Sequence, residues 1–250
     1  MKKIKIIMLA ALLFGAAAVE AQETEAVEKS KVGISIGTDV VSRYIWRGQD
    51  LGQVSLQPTL GIEYKGLSLS AWGSVGLSDP SDTKEFDLTL AYSIAGFNIG
   101  VTDYWFNTGL DPKNRYFKYN ANCTNHVFEA NVGYDFKYVS VQWYTNFAGN
   151  DGLNSDGKRA YSSYFEIAAP FRLVTVDWLA SVGAVPYATD FYGVDGFAVT
   201  NVSLKATKDI HFTDKFTLPI FAQIAANPRT EKAYFVFGFT LQPWDCRSDL

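Results

Sequence analysis

Histidine, cysteine and methionine are almost missing from this 250-residue sequence, with 2 copies of each. That scarcity excludes a Cys/His zinc cluster and a disulfide-dense scaffold, and it leaves little for histidine-based chemistry. Charge is thin as well, at 19% against the ~25% of an ordinary soluble domain. The net charge is −4, so the basic stripe that nucleic-acid binding requires is absent, and no nucleic-acid partner is expected. Long apolar runs are missing beyond residue 21. The longest later uncharged stretch, Leu88 to Thr102, is broken by Ser93, Gly96, Asn98 and Gly100. If the body of the chain enters a membrane, it does so as strands.

The start of the chain reads as an address. Lys2, Lys3 and Lys5 precede an uncharged, mostly apolar run from Ile6 to Val19, and Val19-Glu20-Ala21 is a small-x-small exit. The run is too short for a spanning helix, which needs roughly 20 residues. Residues 1–21 are therefore expected to be a cleaved signal peptide, and the chain to be exported. Its removal takes away three Lys and one Glu and moves the charge from −4 to −6. Residues 22–31, Glu-rich and without apolar periodicity, are expected to form a mobile periplasmic leader.

From Val32 onward, apolar residues recur at every second position, the period of a strand with two unlike faces. Leu67-Ser68-Leu69-Ser70-Ala71-Trp72-Gly73-Ser74-Val75 is the clearest case. Phe86, Leu88, Leu90, Tyr92 and Ile94 alternate with Asp87, Thr89, Ala91 and Ser93, and Val139, Val141 and Trp143 alternate with Ser140, Gln142 and Tyr144. Twelve such segments are predicted, near 32–47, 53–64, 67–77, 84–95, 97–106, 126–136, 138–147, 159–170, 173–184, 196–206, 214–226 and 230–241. Most approach the ~9–11 residues that a tilted strand needs to cross a bilayer.

The links between segments sort by parity. Lys65-Gly66, Gly96, Lys137 and Phe171-Arg172 are tight and follow even-numbered segments, with Asp209 to Thr213 a longer member of that class. Ser78 to Asp82, Asn107 to Asn125, Gly149 to Lys158 and Pro186 to Asp195 follow odd-numbered ones. Short turns on one rim, long loops on the other and an even strand number are the pattern of a transmembrane, antiparallel, up-and-down β-barrel of about 12 strands. The fold class is thus all-β, with residues 32–241 as an outer-membrane barrel and 242–250 as a periplasmic tail. The barrel-assembly machinery is its expected partner during insertion, and outer-membrane lipid its surroundings.

The phase of the alternation proposes what each face meets. The polar phase is Ser, Thr, Gly, Asn and Gln, which suits a confined wet lumen better than a solvated outer face, where Lys and Glu abound. Asp39, Glu63, Asp87, Glu129, Asp135, Glu166 and Asp177 fall on it with Arg43, Arg47 and Lys205, so acids exceed bases. Trp72 shares the phase and is a further lumen-lining candidate. Tyr44, Trp46, Trp105 and Phe128 are expected as interfacial aromatics on the loop rim, with Tyr64, Phe97, Phe136 and Phe216 on the turn rim. Asp103 is out of phase, beside Val101 and Trp105, and is expected at a bulge or at headgroup depth.

Ser42-Arg43-Tyr44-Ile45-Trp46-Arg47-Gly48, followed by Leu56-Gln57-Pro58, Ala71-Trp72-Gly73-Ser74 and Glu85-Phe86-Asp87-Leu88, resembles the TorF-type family of Gram-negative outer-membrane porins. The resemblance covers roughly residues 32–106 and centres on an aromatic-x-aromatic-Arg-Gly signature. It implies a pore-like barrel. Arg43 stands where the family usually carries an acid, and the chain continues past the point where outer-membrane barrels usually stop on an aromatic.

Read as one strand, Arg43 and Arg47 share a face about 13 Å apart at ~3.3 Å per residue. Two roles are open to them: anion selection near the outer mouth, or bracing of inward acids such as Glu63 and Asp87. His126 and His211 lie on opposite rims without a nucleophile signature, so no catalytic residue and no enzyme activity is expected. Cys123 and Cys246 are predicted not to pair, because the topology separates them across the membrane. Asp79, Asp82, Asp151 and Asp156 lack the spacing of a calcium loop, and neither metal nor cofactor is expected. The leading expectation is a porin-like channel for small solutes or ions with mild cation preference. A closed barrel using its long loops for adhesion or assembly is the alternative, and a soluble periplasmic binder of an apolar ligand a weaker one.

Overall fold

The computed structural model describes residues 32–108, 113–120, 123–213 and 216–245. The expected signal peptide, the leader and Cys246 lie outside the described residues. Within them the chain forms strands β1 (Gly33–Val41), β2 (Tyr44–Trp46), β3 (Gln49–Gly52), β4 (Ser55–Tyr64), β5 (Leu67–Gly76), β6 (Thr83–Ile94) and β7 (Phe97–Thr108). There follow β8 (His126–Asp135), β9 (Ser140–Gly149), β10 (Ser163–Leu173), β11 (Val176–Val185), β12 (Ala198–Thr213), β13 (Phe216–Asn227) and β14 (Lys232–Asp245). All but β2 and β3 join one closed antiparallel barrel, in the order β1-β14-β13-β12-β11-β10-β9-β8-β7-β6-β5-β4. Each strand pairs with its barrel neighbour in sequence, and β14 pairs with β1 to close the ring. That is the twelve-stranded up-and-down barrel which the alternation predicts.

The turns explain the parity. Lys65-Gly66 and Ala95-Gly96 carry φ of 50° and 82°, and of 49° and 84°, the left-handed pair that closes a two-residue hairpin. The opposite rim carries the long links. β12 runs on to Thr213, so the stretch 209–213 is strand rather than an intermediate loop. Likewise β14 continues to Asp245, with Ile36 opposite Trp244, so the barrel extends past residue 241 into the expected tail.

The first segment differs most from expectation. Instead of one strand through Arg47, β1 stops at Val41 and the chain bends at Ser42-Arg43. Arg47 and Gly48 then carry φ of 51° and 79°, the same pair of angles as the rim turns, and close the small β2-β3 sheet. Arg43 and Arg47 therefore do not share a strand face. This hairpin is the link between β1 and β4, and it folds into the barrel.

Burial is inverted relative to a soluble fold. Leu60, Leu69, Leu90, Val101, Val132, Ile167, Val182, Leu204, Ile224 and Phe237 are all exposed on the outside, while Ser74, Asn146, Glu129 and Thr200 are almost wholly buried inside. The buried aromatic cluster is not a core between layers. It occupies the lumen: Tyr44, Trp46, Trp72, Tyr104, Tyr144, Tyr164 and Tyr192.

Candidate functional site: the plugged lumen

The wall of the site comes from the polar phase of the barrel strands. Glu129 on β8, Tyr144 on β9 and Tyr164 on β10 point inward beside one another, with Tyr144 directly opposite Tyr164. Tyr104 of β7 donates its hydroxyl hydrogen to Glu129 Oε1 at 2.9 Å, and Tyr164 donates to Glu166 Oε2 at 2.9 Å. Gly183 on β11 has no side chain because the Tyr164 hydroxyl occupies that place; a Cβ there would collide with it.

Into this wall the hairpin inserts Arg47. Its Nη atoms donate to Glu129 at 2.6 and 2.8 Å, a two-pronged pair, and to the Tyr192 hydroxyl at 2.5 Å. The guanidinium carbon lies 4.2 Å from the Tyr144 ring centre, 4.4 Å from Trp46 and 4.7 Å from Tyr164. Both partners of the ion pair are buried, with side-chain exposures of 0% and 2%. A guanidinium tolerates such a place because it is flat, weakly hydrated and matched to a carboxylate.

Hydrogen bonds and close packing hold the hairpin there. Asn227 Nδ2 donates to the Gly48 carbonyl at 3.1 Å, and Gly48 sits so close to the Thr200 carbonyl that no side chain fits. Tyr44 donates to Glu85 Oε2 at 2.9 Å and its ring lies 5.6 Å from Trp72. At the hairpin's end, the Gln53 amide donates to Asp82 Oδ2 at 3.0 Å. The 186–197 loop covers the hairpin from the long-loop side, with Tyr192 stacked on Trp46 at 6.1 Å and Phe191 edge-on at 6.2 Å. Burial raises the Tyr192 phenol above its ordinary range, and the neighbouring Arg47 partly offsets this.

The remaining predicted lumen residues divide by depth. Trp72, Asp87, Glu129 and Glu166 are buried in the filled half, and Oδ1 of Asp87 is a buried atom without a hydrogen-bond partner among the described residues. Asp39 accepts from the Thr240 hydroxyl at 2.6 Å, and Lys205 Nζ lies 4.1 Å over the Phe221 ring. Glu63 is exposed near the short-turn rim, and Asp177 there lies 3.6 Å from Arg172. Arg43 braces, but its partners are Asp50 at 2.7 Å and Gln53 at 3.1 Å, within the hairpin link, rather than Glu63 or Asp87.

The expected interfacial aromatics also divide. Tyr64, Phe136 and Phe216 are exposed at the short-turn rim, while Trp105 and Phe128 face outward near the other rim and are half-buried. Tyr44 and Trp46 are corrections: each is 3% exposed and packed inside the lumen, because the chain has already left β1 when it reaches them. Asp103 lies outward in regular pairing, with no bulge, and is capped by His126 Nδ1 at 2.6 Å and by the Tyr119 hydroxyl at 3.5 Å. His126 Nε2 donates to the Tyr116 carbonyl at 2.6 Å, so residues 113–120 lie as a strap over the outside of β6–β8. Among the described residues Cys123 is exposed and has no disulfide partner, and no group of three or more metal-ligating side chains occurs.

Sequence reasoning missed Tyr104, Tyr144, Tyr164 and Tyr192 as site residues. The signal was present for the first three, which sit on the polar phase where a wet lumen calls for small side chains. A bulky ring on that phase marks a lumen that is filled.

No family model matches the sequence, and no curated protein matches it. Among solved structures, the chain is similar to OmpF from Salmonella typhi in complex with daunomycin, at 10% identity and a TM-score of 0.37, over 85% of this chain and 97% of that one. It is similar to an outer membrane channel from Pseudomonas putida F1 at 13% identity and a TM-score of 0.34, over 87% and 98%. A third likeness is to CdiB from Acinetobacter baumannii, at 9% identity and a TM-score of 0.37, over 85% and 60%. The closure of the strand ladder itself, rather than these distant likenesses, defines the class: a twelve-stranded antiparallel β-barrel, apolar outside and polar within.

Proposed function

We propose that this protein is a porin-like channel of the Gram-negative outer membrane whose entrance on the long-loop side is gated by its own first loop. The single observation that carries the membrane reading is the continuous apolar belt, to which every barrel strand contributes outward side chains. In water a belt of this extent is an aggregation surface; in hydrocarbon it is the required one. A closed ladder without edges leaves no strand-edge backbone group unpaired against lipid. Tyr64, Phe136 and Phe216 at one rim and Trp105 and Phe128 near the other then serve as interfacial girdles. The short turns, the start of β1 and the end of β14 take the periplasmic side and the long loops the outside, as in other barrels of this kind. Membership of the TorF-type porin family accords with this reading, and so do an exported precursor and insertion by the barrel-assembly machinery.

The solutes in this reading are ions or small molecules, with cations preferred. Asp39, Glu85, Asp87, Glu129 and Glu166 face the lumen against Arg47 and Lys205, and a ring of carboxylates favours cations. Reconstitution in planar bilayers tests it. The intact protein is expected to pass little current, and a variant with residues 43–53 replaced by a short Gly-Ser link a steady one, with a cation-selective reversal potential in a salt gradient. A variant without the hairpin that stays silent, or that prefers anions, overturns the channel.

The filled half of the lumen favours a second reading, a closed barrel that presents its loops to partners at the cell surface; silence of the hairpin-less variant is its signature. A soluble carrier of an apolar ligand is disfavoured, since the cavity side is polar and the apolar side chains face out.

A further inference from the structure

Arg47 sits in the lumen as a ligand sits in a receptor. Most of what surrounds its guanidinium belongs to the barrel wall and not to the hairpin: the Glu129 carboxylate at 2.6 and 2.8 Å, and the Tyr144 and Tyr164 rings at 4.2 and 4.7 Å. Tyr192 reaches in from the 186–197 loop, and Trp46 travels with Arg47. The wall groups are also held independently of the occupant: Tyr104 donates to Glu129, and Tyr164 donates to Glu166. Withdrawal of the hairpin, which the gated-channel reading requires, therefore uncovers a carboxylate between aromatic faces with no counter-charge. A buried carboxylate in that state is strongly disfavoured until a cation or a proton neutralises it.

We propose that this is a binding site of the channel itself, for a solute bearing a guanidinium group, and that Arg47 is its tethered stand-in. Such a solute competes with Arg47 for Glu129 and holds the hairpin out, so binding and opening are linked. The class follows from the geometry. Two parallel N–H donors meet the two oxygens of Glu129, which a spherical ammonium cannot reproduce. A flat cation fits against the Tyr144 and Tyr164 faces, whereas a small metal ion reaches them only by shedding its water. Anions are turned away by Glu129, Glu166 and Asp87. A group tethered by a short flexible link acts at an effective concentration of the order of millimolar, so the intact protein responds only to solute in that range or above.

The test uses the full-length barrel in detergent micelles, with methylguanidinium as probe at constant ionic strength and below denaturing concentrations. Arg47→Met keeps the stem and removes the competitor. Methylguanidinium is expected to raise its melting temperature with an apparent Kd at least about tenfold below that for tetramethylammonium or sodium, since only the planar cation makes paired charge-assisted bonds. Urea, a neutral molecule of the same shape, is expected to give no rise, and Glu129→Gln added to Arg47→Met is expected to abolish the response. Equal responses to methylguanidinium and sodium, or a response that survives Glu129→Gln, overturn the site. Should Arg47→Met not assemble, the intact protein supplies the reading: protease cleavage within 43–53 is expected to increase with methylguanidinium and not with sodium, and an unchanged cleavage rate overturns the proposal. The inference rests on the gated-channel reading, yet the two fail separately. Binding in a barrel that never conducts sinks the channel alone, and a conducting barrel indifferent to guanidinium sinks the site alone.

Discussion

The two ends of the lumen treat the same polar wall in opposite ways. Toward the short turns, Ser68, Ser70, Asn98 and Asn131 line a surface of small side chains, and Glu63 and Asp177 near the rim reach solvent. Toward the long loops, Glu85, Asp87, Glu129 and Glu166 are buried, and Tyr and Trp rings together with a folded-in hairpin fill the space between them. The contrast teaches that a charge in a barrel is defined by what is tethered near it. Glu63 has water. Glu129 has Arg47, and the chain spends residues 42–54 on delivering it.

Breaking the filled half is expected to have the largest effect. Glu129→Ala leaves the guanidinium of Arg47 buried without its partner and is expected to cost about 3–5 kcal/mol, read by equilibrium unfolding in micelles. If the loss stays within the scatter of surface substitutions, the pair is not what holds the hairpin. Next in size is a test of the outer face that the two halves share. Leu60→Arg, pointing out from the middle of β4, is expected to cost about 2–4 kcal/mol, as for a cation at the bilayer midplane, while Thr59→Arg beside it, pointing into the lumen, is expected to cost far less. Equal costs for the two would show that the belt does not meet hydrocarbon.

Smaller effects sharpen the contrast. Gly48→Ala places a methyl against the Thr200 carbonyl at a φ of 79°, and such strain is worth about 1–3 kcal/mol. Its expected form is a hairpin that becomes accessible to protease while the barrel keeps its strand spectrum by circular dichroism; an equally protected hairpin would contradict the jammed turn. Smallest of all, Glu63→Gln at the open end is expected to change stability by less than about 0.5 kcal/mol. A larger loss there would mean that the two halves are not as different as their burial indicates.

How much was legible follows from which residues carried a periodic signal. Leu67 to Val75 announced a two-faced strand, and Lys65-Gly66 and Gly96 announced the turns, because period and turn chemistry are local. The same turn chemistry stood at Arg47-Gly48, with nearly the same backbone angles. Tyr44-Ile45-Trp46 continues the alternation of β1 and so hides it within an apparent strand. Alternation marks extended chain, not membership of a particular ladder, so a three-residue strand inside the lumen looks like the end of a long one in the wall. Asp103 was flagged by its phase, whereas its His126 partner lies in the next strand beyond the 109–125 link, and only the register of β7 against β8 brings them together.

The sequence by itself determined the extended strands, the short and long rims and the polarity of the two faces. Each is written in neighbours one or two residues apart, and a closed antiparallel ladder is the arrangement that satisfies them together. Only the tertiary structure decided what fills the cylinder. The Arg47–Glu129 pair spans 82 residues of chain, and no local period encodes a contact made by a loop folding back through the ring its own strands enclose.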